Sequence, residues 1–180
     1  AAEDFVADQA AFDALIAHTP KAHPPNLDDP DGLMPSTPTY WPRIYNHKLA
    51  NFARFTGEEI YLKLVKTRGS MPDPPDHEGL SAPLAQRAGL TSQGIAAVYV
   101  ADSNLWELTV APDTASRLLQ SGETLSAFKQ RVLSAAADQA AADLAARTSS
   151  RPLTPDRRIM NEVNSLINEL IALLERNPQS

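Results

Sequence analysis

The chain has 180 residues, 43% of them hydrophobic and 21% charged, which is the composition of an ordinary globular domain with one core. Its net charge of −6 argues against a polyanionic partner such as nucleic acid, because neutralising phosphates requires a clustered basic surface. The absence of cysteine excludes a disulfide framework, Cys-based zinc sites, iron–sulfur ligation and thiol chemistry.

No apolar run reaches the 18 or so residues needed to span a bilayer. The opening Ala1-Ala2-Glu3-Asp4 has the character of a mature end left by cleavage at a small-residue site, so an extracytoplasmic protein is expected. Residues 1–40 carry seven acids against the single base Lys21. Phe5, Phe12, Leu15 and Ile16 recur at helical spacing among Asp4, Asp8 and Asp13, predicting an amphipathic helix over Glu3–His18.

Prolines then punctuate residues 20–42, which reads as an ordered loop or extended connection. A helix is expected over Asn46–Phe55 through Leu49 and Phe52, stopped by Gly57 as its C-terminal cap. Within Glu58–Thr67 the period changes to two: Ile60, Leu62 and Leu64 alternate with Tyr61, Lys63 and Val65, a strand. After a second proline loop around Pro72–Pro75, Ser81–Ala88 carries the signals of a short helix.

The apolar run Ile95–Val100 reads as a strand covered on both faces, and Asp102-Ser103-Asn104 turns it into a hairpin with Leu105–Val110. Helices follow over Pro112–Gln120 and Thr124–Arg147, the second with a face through Leu125, Phe128, Val132, Ala136 and Leu144. The last helix starts at Thr154 with Pro155 in its first turn, and its stripe runs through Ile159, Val163, Leu166, Leu170 and Leu173.

This order predicts an α/β fold: a small mixed sheet of three to four strands with helices on both faces, an αβα sandwich with a helical C-terminal extension. One domain is expected, with residues 1–45 packed onto an α/β core at 46–147 and a C-terminal helix at 148–180.

Two segments fit a known pattern. Phe55-Thr56-Gly57-Glu58-Glu59-Ile60 and the hairpin Gly94–Val100 with Leu105–Val110 resemble the TPM domain family, in which a helix leads into a strand, a loop with a helix follows, and a glycine opens an apolar hairpin strand. The chain departs from that pattern at Ser92-Gln93-Gly94 and at Ala111-Pro112-Asp113-Thr114. The resemblance implies an αβα sandwich in an exported protein and, as an activity, metal-dependent phosphatase-like hydrolysis.

For a metal, Asp73, Asp76, His77 and Glu78 gather hard ligands in one proline-rich loop, suiting calcium or magnesium; a solvated acidic loop is the plainer alternative. Asp102 at the end of a strand and Asp113 just after the hairpin are the further ligand candidates, since ligands gather at strand ends in α/β sheets. Asp28-Asp29-Pro30-Asp31-Gly32 superficially resembles a calcium loop, but its spacing fits a turn better. No Gly-x-Ser-x-Gly or phosphate-cradling glycine pattern is present.

For a partner, Tyr40, Trp41 and Tyr45 beside Arg43 offer an aromatic contact surface or else seal the N-terminal loop onto the body, and Ile159, Val163, Leu166 and Leu170 either pack within the chain or leave a seam for self-association or another protein. The expected function is that of a non-catalytic cell-envelope accessory or interaction domain. The alternatives are the metal-dependent phosphatase-like hydrolase, and a small-ligand-binding domain with its site between the proline-rich N-terminal segment and the sheet.

Overall fold

Two six-residue strands with every residue buried make the centre of the molecule: β2 (Ile60–Val65) and β3 (Ile95–Val100). A computed structural model describes residues 25–37, 40–67, 85, 90, 93–147 and 152–175. β2 and β3 pair in parallel from Ile60↔Ile95 to Val65↔Val100, as the crossover between them requires. β4 (Leu105–Val110) returns antiparallel, Ile95 opposite Val110, and β1 (Leu27–Asp28) adds a short parallel edge at Leu27↔Leu62. The sheet order is β1-β2-β3-β4, so the α/β fold with a small mixed sheet is as the sequence predicts.

The two faces of the sheet divide by the two-residue period. Ile60, Leu62, Leu64, Ile95, Ala97, Tyr99, Leu108 and Val110 point into the main core. That core is closed by α1 (Trp41–Thr56), α3 (Leu125–Ala145) and α4 (Pro155–Glu175) through Leu49, Phe52, Phe128, Val132, Val163, Leu166 and Ile167. Tyr61, Val65, Ala96, Val98 and Val100 point the other way, where Ala85 and Leu90 from the β2–β3 crossover pack on them. A short helix, α2 (Pro112–Leu118), follows β4. The expected helices at 3–18 and 81–88 lie outside the described residues, except that Ala85 is helical and buried.

α1 begins five residues earlier than its apolar period suggests. Pro42 sits in the first turn, where no amide donor is needed and the fixed φ favours the helix, so the last proline of the presumed loop opens α1. Gly57 ends it in the left-handed conformation (φ 77°), donating its amide to Ala53 O at 2.8 Å.

α3 buries every fourth residue, Phe128, Val132, Ala136 and Ala140; Leu125, expected on that face, is exposed in the first turn. The alanines allow α4 close, and Asn161 Nδ2 donates to Ala140 O at 3.0 Å.

Within the proline-rich span, β1 is an extended piece that the sequence does not single out as a strand. Asn46 of α1 holds it: Oδ1 accepts from Leu27 N at 2.7 Å, while Nδ2 donates to Leu27 O at 2.6 Å and to Pro42 O at 3.1 Å. On the other side Asn26 O accepts from Leu62 N at 2.7 Å. A two-residue strand bonded on both sides offers little edge for pairing with another chain.

Candidate functional site

A concavity among the described residues lies in the helical layer, where the first turns of α1 and α4 meet the last turn of α3. It encloses about 610 Å³, within the range of small-molecule sites. Trp41, Ile44, Leu144, Leu153 and Met160 give it largely apolar walls. Lys48, Arg147 and Arg157 bring three cations to the lining against the single carboxylate of Asp143.

Its walls are tied together by polar side chains of α4. Asn164 Oδ1 accepts from the Tyr45 hydroxyl at 3.1 Å, and Asn168 Oδ1 accepts from Lys48 Nζ at 3.0 Å. With the Asn161–Ala140 bond, three asparagines spaced at helical intervals fasten α4 to α1 and to α3. Burial pushes the Tyr45 phenol up to about 12, so it stays a neutral donor. Burial also lowers the Lys48 ammonium from its ordinary value, since water is withdrawn from the charged form.

A second polar cluster lies at the amino ends of β2 and β3. Glu58, only 4% exposed, pairs through Oε1 with the Arg117 guanidinium and through Oε2 accepts from Thr114 Oγ1 at 3.4 Å. Thr114 Oγ1 in turn accepts from Gly94 N at 2.9 Å. Gly94 has φ 117°, and a Cβ there would stand 2.7 Å from Glu59 O, so the position requires glycine. With its carboxylate and hydroxyl engaged within the chain, this cluster is a clamp of α2 onto the sheet.

The residues singled out in the sequence fall in different places. Asp73, Asp76, His77 and Glu78 lie outside the described residues. Asp102 follows β3 and Asp113 opens α2, at opposite ends of the β3–β4 hairpin. The six residues of β4 between them span about 20 Å, so these two carboxylates do not share one ion. Among the described residues no group of three or more His, Asp or Glu is placed to hold a metal ion.

The Asp28–Gly32 segment is a turn. Asp29 accepts from Leu33 N at 2.8 Å and Met34 N at 2.9 Å, and Asp31 accepts from Lys66 N at 2.7 Å. Burial raises the Asp29 carboxyl above its ordinary value, with those backbone bonds pulling the other way.

Of the aromatic surface, Tyr40 is exposed, Trp41 is half-buried in the cavity wall, and Tyr45 is buried with its hydroxyl engaged. Val163, Leu166 and Leu170 are at 0% exposure in the chain's own core, with half-buried Ile159 packed on it. These residues of the stripe therefore pack within the chain as the cover of the sheet. Lys48, Asp143, Arg147, Arg157, Asn161 and Asn164 went unnoticed in the sequence. Asn161, Asn164 and Asn168 were the visible signal, being weak helix formers repeated at helical spacing in an otherwise strong helix.

The chain is similar to the N-terminal domain of a protein from P. gingivalis, known from a solution NMR structure, at a TM-score of 0.54 and 14% identity. The match covers 87% of this chain and 88% of that domain, and it shows the fold alone. No family profile and no curated protein matches the chain. The class of protein defined is therefore an α/β domain with a mixed four-stranded sheet and a cavity in its helical layer. No described helix is long and apolar enough to cross a membrane.

Proposed function

We propose that this chain is a non-catalytic binding domain of an exported protein, and that the α1/α3/α4 cavity takes a small ligand with an apolar body. The observation that carries the reading is the cavity itself: about 610 Å³ with mostly apolar walls, held open by interhelical hydrogen bonds. A water-filled apolar recess gains free energy when an apolar body replaces the water. The site lies between helices of one layer, and so differs from the N-terminal segment–sheet junction expected from the sequence. Assignment to the cell envelope rests on the resemblance to the TPM domain. In support, a helix, a strand, a crossover, a hairpin and a long helix follow one another here in the order that resemblance implies.

Titration with Nile red, a neutral dye whose emission rises in apolar surroundings, tests the reading. Saturable binding is expected in the wild-type chain, weakened at least tenfold by Met160→Trp, which fills the cavity from α4, with the circular dichroism unchanged. Equal binding by the two proteins would overturn it.

A further inference from the structure

We infer that the ligand of the α1/α3/α4 cavity is a neutral aromatic carboxamide or lactam, its amide edge read by Asn161 and Asn164 of α4 and its ring lying against Trp41 and Met160. The inference rests on the binding reading above and adds the chemistry of the occupant.

The hydrogen-bonding groups of the lining carry the first part of the argument. Most are engaged within the chain: Lys48 Nζ donates to Asn168 Oδ1, the Tyr45 hydroxyl to Asn164 Oδ1, and Gln139 Nε2 to Asp143 Oδ1 at 2.9 Å, while Arg147 is engaged as well. Asn161 and Asn164 are each engaged at one end only. The Ala140 carbonyl can only accept, so the Asn161 atom 3.0 Å from it is Nδ2, and the acceptor Oδ1 has no partner among the described residues. On Asn164 the ends are reversed: Oδ1 accepts from the Tyr45 hydroxyl, and the donor Nδ2 has no partner among the described residues.

Neither of these two atoms is among the buried side-chain atoms that lack a partner, so both reach open space, and both residues line the cavity. Three residues apart on one helix, their Cβ atoms lie about 5–6 Å from each other. One free acceptor beside one free donor is the complement of a carboxamide, which presents a donor and an acceptor in one plane. The bonds to α1 and α3 hold both side chains in place beforehand, so a ligand does not have to order them.

The walls carry the second part. Trp41 is half-buried, which leaves part of its indole to the cavity, and the Tyr45 ring stands 6.2 Å away at a tilt of 37°. An aromatic occupant packs on an indole and against the Met160 thioether with contacts that a saturated body of the same area lacks. A carboxylate in place of the amide has no proton to give Asn161 Oδ1, so the neutral group is the better match even with Arg157 in the lining.

Displacement of Nile red from the intact chain tests the proposal, since the dye has no hydrogen-bond donor. Naphthamide, acetonaphthone, naphthoate and methylnaphthalene, substituted at the same ring carbon, differ only in carrying an amide, a carbonyl without a donor, an anion or a methyl group. Naphthamide is expected to displace the dye at a concentration about tenfold lower than each of the others. Asn161→Leu should bring naphthamide level with acetonaphthone, and Asn164→Leu should narrow the gap between naphthamide and methylnaphthalene about fivefold. These are ratios, so a general loosening of the cavity, which weakens all probes alike, does not imitate them. If acetonaphthone or naphthoate competes as well as naphthamide, if neither substitution alters the ratios, or if no probe displaces a dye whose binding Met160→Trp weakens, the amide inference fails while the binding reading stands. Equal dye binding by the wild-type chain and Met160→Trp overturns both.

Discussion

Two charged clusters among the described residues stand at different places in the fold and differ in their surroundings. At the amino ends of β2 and β3, one buried carboxylate meets one guanidinium, with Thr114 and the Gly94 amide completing the set. In the helical layer, three cations share a cavity with one acid, and their surroundings are hydrophobic. A buried cluster of one acid and one base fixes α2 on the sheet, whereas the charged groups of the cavity lining border apolar volume, which is what the proposed binding reading uses. The difference lies in what the charges face, not in how many there are.

The largest expected effect breaks the clamp. Glu58→Ala leaves the Arg117 guanidinium without its partner in a site where its side chain is 22% exposed, and the cost should be about 3 kcal/mol. It would be read as a lower urea midpoint at unchanged slope. The exposed acid of the cavity provides the contrast: Asp143→Asn should alter stability by no more than about 0.5 kcal/mol. Similar losses for the two substitutions would erase the distinction between clamp and receptor.

The second effect concerns the attachment of the cavity to the sheet. Asn46 lies between Tyr45 and Lys48 on α1, and its side chain satisfies both backbone groups of Leu27. Asn46→Ala strands the Leu27 amide on the side away from β2, so a loss of about 2 kcal/mol is expected. Because α1 carries Trp41 and Lys48 to the cavity, Nile red affinity should fall with it, and unchanged stability would mean that water replaces the asparagine without cost.

The parts of this fold that were legible are those in which one period governs a whole element. β3 and β4 begin and end where the sequence places them, because a fully apolar hexapeptide followed by Asp-Ser-Asn admits few other structures. α4 was legible from its wide stripe, but the stripe does not say whether it meets the sheet or another chain; that depends on the sheet face offered by Ile60, Leu62 and Leu64.

β1 was illegible for a physical reason. Two residues have no period, and Leu27–Asp28 is a strand only because Asn46 and β2 bond it from either side. The cavity was illegible for a related one: Lys48, Arg147 and Arg157 belong to three segments, and only the packing of α1, α3 and α4 places them around one volume.

The smallest expected effect is a pH dependence in α1 itself. His47 is buried beside Lys48, and Asn51 Nδ2 stands 2.9 Å from its Nε2. Burial, with repulsion from Arg54, lowers its folded pKa below the ordinary 6.5. The neutral imidazole is therefore favoured in the native state. Its contribution to stability is complete above about pH 6.5, where both states are neutral. As the pH falls below that value the unfolded chain takes up the proton first, and the contribution declines until the folded pKa is passed.

Other acids titrate in the same range, so the informative quantity is the difference between the wild-type chain and His47→Gln. Urea midpoints at pH 8 and pH 5.5 should converge in the variant relative to the wild type, because glutamine has no proton to bind. Parallel losses in the two proteins would show that His47 keeps the same proton affinity in both states. In that case α1, though it carries cavity residues, would be as insensitive to acid as the clamp at the other end of the sheet is expected to be to changes in the cavity.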